Sequence, residues 1–151
     1  MTVRRVVTAD AKGEAAIASD TAVEPLPIGE ARLYELWRAG PGGAEAALNA
    51  PWSLDPPAGG HVFRVSVFPP AAPGEEPWMH RTDTIDYALI LEGELTLVTE
   101  AGETRLHPGD VVVQQAAGHG WINRTDRPAR MVVVLIDRRR DEAATLNARR
   151  G

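Results

Sequence analysis

A chain of 151 residues suits one domain with a single hydrophobic core, burying roughly 70% of its unfolded surface without staples. It has no cysteine, which excludes disulfides, thiolate metal sites and cysteine nucleophiles together and fits a reducing compartment. A net charge of −5 argues against nucleic acid or an anionic membrane as partner, and no apolar run approaches the ~20 residues of a membrane helix or forms a signal-peptide core.

With a soluble, cytoplasmic protein as the expectation, the chain opens on a predicted hairpin. Its arms are Val3 to Thr8 and Ala15 to Ser19, joined by the polar bend Asp10-Ala11-Lys12-Gly13-Glu14. Glu24-Pro25-Leu26-Pro27 reads as a breaker, and Arg32 to Arg38 alternates polar and apolar residues as a strand. Residues 39–60 carry Gly40-Pro41-Gly42-Gly43, Pro51, Pro56-Pro57 and Gly59-Gly60. They predict a long surface loop, with one helical turn at Ala44 to Leu48.

Beyond that loop the β pattern strengthens. Strands are predicted at His61 to Phe68, His80 to Leu91, Glu94 to Thr99, Thr104 to His107, Asp110 to Gln115, His119 to Asn123 and Ala129 to Ile136. Many short strands with turn signals every eight to twelve residues predict an all-β sandwich or barrel. The organisation read from this is a hairpin-and-loop extension over 1–60, a barrel over 61–137, and a tail over 138–151. Arg138-Arg139-Arg140 starts that tail as a solvated end before a short helix.

His80, Thr82 and Asp86 are separated by even numbers, so a regular strand points all three to one face. Ala88 and Ile90 share that face, while Ile85, Tyr87, Leu89 and Leu91 take the other, with Tyr87 packed between the sheets. His119, Trp121 and Asn123 share a face by the same rule. If both faces look inward, two imidazoles and a carboxylate meet in the barrel. With positions left open, that set suits divalent iron and also accepts zinc, manganese or nickel. Thr82, Gln115 and Asn123 are the expected orienting or substrate-binding groups. Arg64 reaches either the pocket mouth, to hold an anionic substrate group, or the surface. Trp78 is a packing residue or a lid wall. The bland alternative is a metal-free polar pocket, in which His and Asp bond each other or hold an organic acid. No G-x-S-x-G occurs, so catalysis is expected to be acid–base or metal-assisted.

Two stretches carry a family resemblance. His80, Thr82, Asp86 and Gly93 fall on the first cupin motif, G-x5-H-x-H-x(3,4)-E-x6-G, with the gap between Asp86 and Gly93 kept. Gly109, His119 and Asn123 fall on the second, G-x5-P-x-G-x2-H-x3-N. Thr82 stands for a histidine, Asp86 for the glutamate and Gln115 for the proline, and the loop before His119 is one residue shorter. The chain thus resembles the cupin superfamily, and its His-Arg-Thr-Asp-Thr-Ile-Asp-Tyr string is similar to that of small bacterial and fungal cupins of polyketide-type metabolism. The resemblance implies a double-stranded β-helix (jelly-roll barrel), and a metal on His80, Asp86 and His119. It further implies an enzyme acting on an oxygenated enol or keto substrate by cyclisation, isomerisation or dehydration. Iron-dependent dioxygenation and non-catalytic ligand binding are the alternatives. A homodimer is expected, and Arg64, Thr82, Gln115, Trp121 and Asn123 line the substrate pocket.

Overall fold

The structure is a computed structural model and describes residues 1–43, 45 and 53–138. The expected helical turn at Ala44 to Leu48 falls outside the described residues apart from Glu45, as does the tail beyond Arg138.

The hairpin forms, longer than expected: β1 (Val3–Ala11) pairs antiparallel with β2 (Glu14–Val23). Lys12 and Gly13 have φ of 59° and 87°, the doubly left-handed pattern whose twist matches the flanking strands. Val3 and Val23 at its base pack on Tyr34, Leu36 and Val65, tying the hairpin to the sheet behind it. Leu26 and Pro27 of the expected breaker lie instead in a short strand, β3 (Leu26–Ile28). It pairs on one side only, with β4 (Ala31–Ala39). An edge strand leaves one row of backbone groups without partners, so it tolerates Pro27.

β5 (His61–Phe68), β6 (Thr84–Glu92), β7 (Leu95–Thr99), β8 (Gly102–Leu106), β9 (Val111–Gln115), β10 (Gly120–Ile122) and β11 (Ala129–Asp137) follow. They fall into two antiparallel sheets, β3-β4-β5-β11-β6-β9 and β10-β7-β8. Their inner faces share one core: Ala88 and Ile90 from β6, Leu95 and Leu97 from β7, Leu106 from β8, and Ala129, Met131, Val133 and Leu135 from β11. The two sheets close on each other as an all-β jelly-roll barrel. Along β11 every second residue from Ala129 to Leu135 is buried, the period-two signature of a strand with one face on a core. Full burial of side chains such as Ile90 and Leu95 contributes about 1.5–3 kcal/mol each.

The β6–β7 turn is fixed by Gly93. Its φ is 74°, and a Cβ there would lie 2.6 Å from the Pro128 carbonyl oxygen. Only glycine lets the turn approach the start of β11 so closely. β6 itself begins at Thr84, not His80, and Tyr87 lies on its outer face opposite Val113 and Val134. At 49% exposed, Tyr87 is not packed between the sheets, because its odd register puts it opposite to Asp86 and Ala88. No helix among the described residues is long and apolar enough to cross a membrane.

Candidate functional site

A cavity of about 440 Å³ opens into the barrel between β5, β6, β9 and β10, within the range of small-molecule pockets. His80 and His119 stand at its wall. They are locked as an isolated antiparallel bridge, in which each backbone N–H donates to the other's carbonyl at 2.9 Å. Directly paired residues project side chains to the same side. The two rings accordingly lie 4.5 Å apart between centroids, tilted by 57°. Segment 77–79 lies over β10 here. A Cβ on Gly120 would come within 2.8 Å of the Met79 sulfur and 3.0 Å of Pro77 Cβ. Trp78, 65% exposed, stacks on the His80 ring at 4.6 Å, and Trp121 meets His119 edge-on at 6.1 Å.

The nitrogen chemistry follows from the backbone. His119 Nδ1 lies 2.9 Å from the Ala117 carbonyl oxygen, and His80 Nδ1 lies 3.4 Å from that of Trp78. A carbonyl only accepts, so each neutral ring carries its hydrogen on Nδ1 and keeps the lone pair on Nε2. Burial, and then the neighbouring His119, push the His80 imidazole below its usual range. His80 is therefore the free base at neutral pH.

Two buried charges face the same cavity. Arg64 on β5 is 3% exposed and Asp86 on β6 is 7% exposed. Arg64 Nη2 donates to the Leu54 carbonyl at 2.7 Å, but its Nε has no partner, nor has Asp86 Oδ1. Burial lowers the Arg64 pKa to about 10, with Glu35 opposing, so it remains a cation at pH 7. The fall from the ordinary guanidinium range corresponds to a cost of about 3 kcal/mol for holding that cation in the fold. Burial raises the Asp86 carboxyl, against hydrogen bonding from Thr84 and the nearby His119, Arg64 and His80. Thr82 is buried in the wall, its hydroxyl 2.8 Å from that of Thr84.

Other expected site residues are placed differently. Gln115 is exposed and Gln114 lines the cavity, since Gln114 pairs with inward-facing Asp86 in the β6–β9 register. Gln114 Nε2 donates to the Ala117 carbonyl at 3.3 Å, bracing the segment that also holds His119. The signal for Gln114 was period-two parity along β9, which the motif alignment overrode. Asn123 touches the cavity, but its amide is spent on the chain. It donates to the Phe68 and Arg127 carbonyls and accepts from the N–H and hydroxyl of Thr125. A structural clamp replaces the expected ligand contact.

The metal set was tested against the same geometry. Two Nε2 lone pairs and a carboxylate are suitable donors. Among the described residues, however, no three His, Asp or Glu side chains stand close enough to share one ion. His80, Asp86 and His119 line one cavity without forming a three-ligand site.

Residues 67–135 match the family model of the cupin domain (Cupin_2). Phomopsin biosynthesis cluster protein C' of Diaporthe leptostromiformis is 42% identical over 92 residues, covering 60% of this chain and 47% of that protein. The cupin-domain-containing oxidoreductase fogC of Aspergillus ruber is 44% identical over 82 residues, covering 52% of this chain and 39% of that protein. The chain matches less than half the length of either relative. Among solved structures, the cupin domain of Schizosaccharomyces pombe Cnp3 is similar with a TM-score of 0.55 at 11% identity. That match covers 97% of this chain and 88% of the other, a likeness of fold.

Proposed function

Since residues 67–135 of this chain match the cupin domain and fold as a jelly-roll barrel, we propose that it is an enzyme moving protons on an oxygenated small molecule. The observation that carries this reading is the pair of imidazoles, His80 and His119, side by side in the lining of a cavity of about 440 Å³, each with its Nδ1 against a backbone carbonyl. Neutral His80 takes a proton from a carbon beside a carbonyl, and the electron pair moves onto the carbonyl oxygen as an enolate. The imidazolium formed at His80 gives that proton back, with His119 Nε2 as an acceptor beside it. Returned to another carbon it isomerises the substrate; given to the alkoxide left when the enolate attacks a second carbonyl it completes a cyclisation; given to a departing hydroxyl it dehydrates the substrate. Asp86 accepts a hydrogen bond from the substrate and Thr82 supports the wall. The biosynthesis-cluster name of the phomopsin relative supports a small-molecule substrate, and the enol or keto class rests on the proton chemistry of the two imidazoles.

Iron, zinc, manganese or nickel on His80, Asp86 and His119 lacks support from the donor geometry, so no step is assigned to an ion. The oxidoreductase name of the fogC relative favours a second, redox reading. Oxygen uptake with added ferrous iron separates the two.

The test is deuterium incorporation from heavy water into a panel of enolisable aryl and β-hydroxy ketones, followed by mass spectrometry. Protein-dependent exchange should fall about a hundredfold or more in His80→Ala and in His119→Ala. Exchange that persists in the double variant removes the assignment. So does stoichiometric metal in the purified protein that the double variant loses. The expected homodimer belongs to this reading too, supported by exposed Tyr87, Val111 and Val113 on the outer face of β6 and β9. Light scattering giving a monomer mass would exclude it.

A further inference from the structure

Arg64 and Asp86 are opposite charges, both more than nine-tenths buried, and both face one cavity. The economical arrangement in a protein interior is a direct ion pair, yet no ion pair or hydrogen bond joins them among the described residues. The reason is topological. β11 runs between β5 and β6, with Val133 opposite Arg64 on one side and Leu135 opposite Asp86 on the other. Two strand spacings put the two backbones roughly 10 Å apart, and β11 contributes the aliphatic Val133 and Leu135 at these positions between them. Each charge keeps an unused atom, Nε on Arg64 and Oδ1 on Asp86.

Buried charges short of hydrogen-bond partners are costly, and a ligand that reaches both groups lowers that cost. The guanidinium needs a planar pair of acceptors, which a carboxylate offers in the matching geometry. The Asp86 oxygen needs a donor, which a hydroxyl offers. Between them Ala88, Val133 and Trp121 line the wall for an apolar body. Glu30, Glu75 and Glu76 also line this cavity and disfavour a multiply charged phosphate.

We propose that the cavity binds a small hydroxylated carboxylic acid, its carboxylate on Arg64 and its hydroxyl hydrogen-bonded to Asp86. This rests on reading the cavity as the substrate site and adds the substrate class. Arg64 lies outside residues 67–135, the stretch matched to the family.

Isothermal titration with 3-hydroxybenzoate, benzoate and methyl 3-hydroxybenzoate tests it on the full chain. Against 3-hydroxybenzoate, benzoate should bind about tenfold more weakly and the uncharged ester about thirtyfold more weakly, as expected for hydrogen bonds to charged groups. Arg64→Met should abolish the preference for acid over ester. Arg64→Lys, which keeps the charge, should retain part of it, and Asp86→Ala should erase the preference for the hydroxyl. Thermal melts establish that each variant is folded. An ester that binds wild type as tightly as the acid overturns the proposal, as does acid preference surviving in Arg64→Met or no binding of all three at millimolar concentration. The exchange assay fails separately. His-independent exchange with intact acid preference sinks the catalytic reading alone, and His-dependent exchange without acid preference sinks the Arg64 anchor alone.

Discussion

The barrel interior has two regions of opposite character. Around Ile90, Leu95 and Ala129 it is aliphatic, closed and fully buried. Around Arg64, Asp86, Thr82, Gln114 and the two histidines it is polar and hollow. The same strands supply both: β6 contributes Asp86 to one and Ile90 to the other, two inward steps along. The first region stabilises the fold by removing apolar surface from water. The second opposes folding, because it holds a desolvated cation and a desolvated carboxylate, each with one polar atom left unbonded. A fold selected for stability alone would fill the second region as it fills the first, and the proposed ligand would supply the missing partners there.

The sharpest way to break this contrast is Leu95→Ala. Leu95 is 0% exposed at the centre of the aliphatic region, and its truncation should cost about 2–5 kcal/mol in urea unfolding. A loss well under 1 kcal/mol would mean that region is not close-packed. The next largest effect has the opposite sign. Arg64→Met should raise ligand-free stability by about 1–3 kcal/mol, since an apolar chain of similar length replaces a buried cation whose Nε has no partner. Destabilisation there would show that the guanidinium is structural.

The third prediction is smaller and depends on pH. Asp86 is raised above 3.8, chiefly by burial, so the folded state takes up its proton before the unfolded chain does. Its charge therefore costs stability at neutral pH, and that cost disappears as pH falls through the raised value. Asp86→Asn should exceed wild type in urea midpoint at pH 7, with the advantage shrinking toward pH 4. A constant difference across that range would contradict the strained carboxylate. His80 acts in the other direction. Lowered below 6.5, it resists a proton that the unfolded chain accepts, so stability drops as pH falls below 6.5, and His80→Asn should flatten that drop. Smallest of all, Ile17→Thr on the hairpin, 69% exposed, should change stability by less than about 0.5 kcal/mol. That calibrates both interior regions against the surface.

Most of the barrel was legible because turn chemistry and period-two burial are local. β5 matched its expected span from His61 to Phe68, and Ala129 to Ile136 was extended by one residue to Asp137. The inward row Asp86, Ala88, Ile90 followed from parity alone. Errors came where a partner strand decides. Pro27 sits in a strand because that strand is at an edge, a fact absent from any short window. Gln114 rather than Gln115 faces inward because β9 is registered on β6. Asn123 is occupied because the 123–127 turn folds back onto its amide.

By itself the sequence determined the all-β class, the turns and the alternation that sends Asp86, Ala88 and Ile90 one way. These depend on backbone sterics and on hydrophobic patterning between near neighbours. Only the tertiary structure decided that two histidines pair through their backbones, that β11 separates Arg64 from Asp86, and that among the described residues no third donor completes a metal site with the imidazoles. Those outcomes depend on which strands lie beside which and how far apart, and distance across a sheet is not encoded in spacing along the chain.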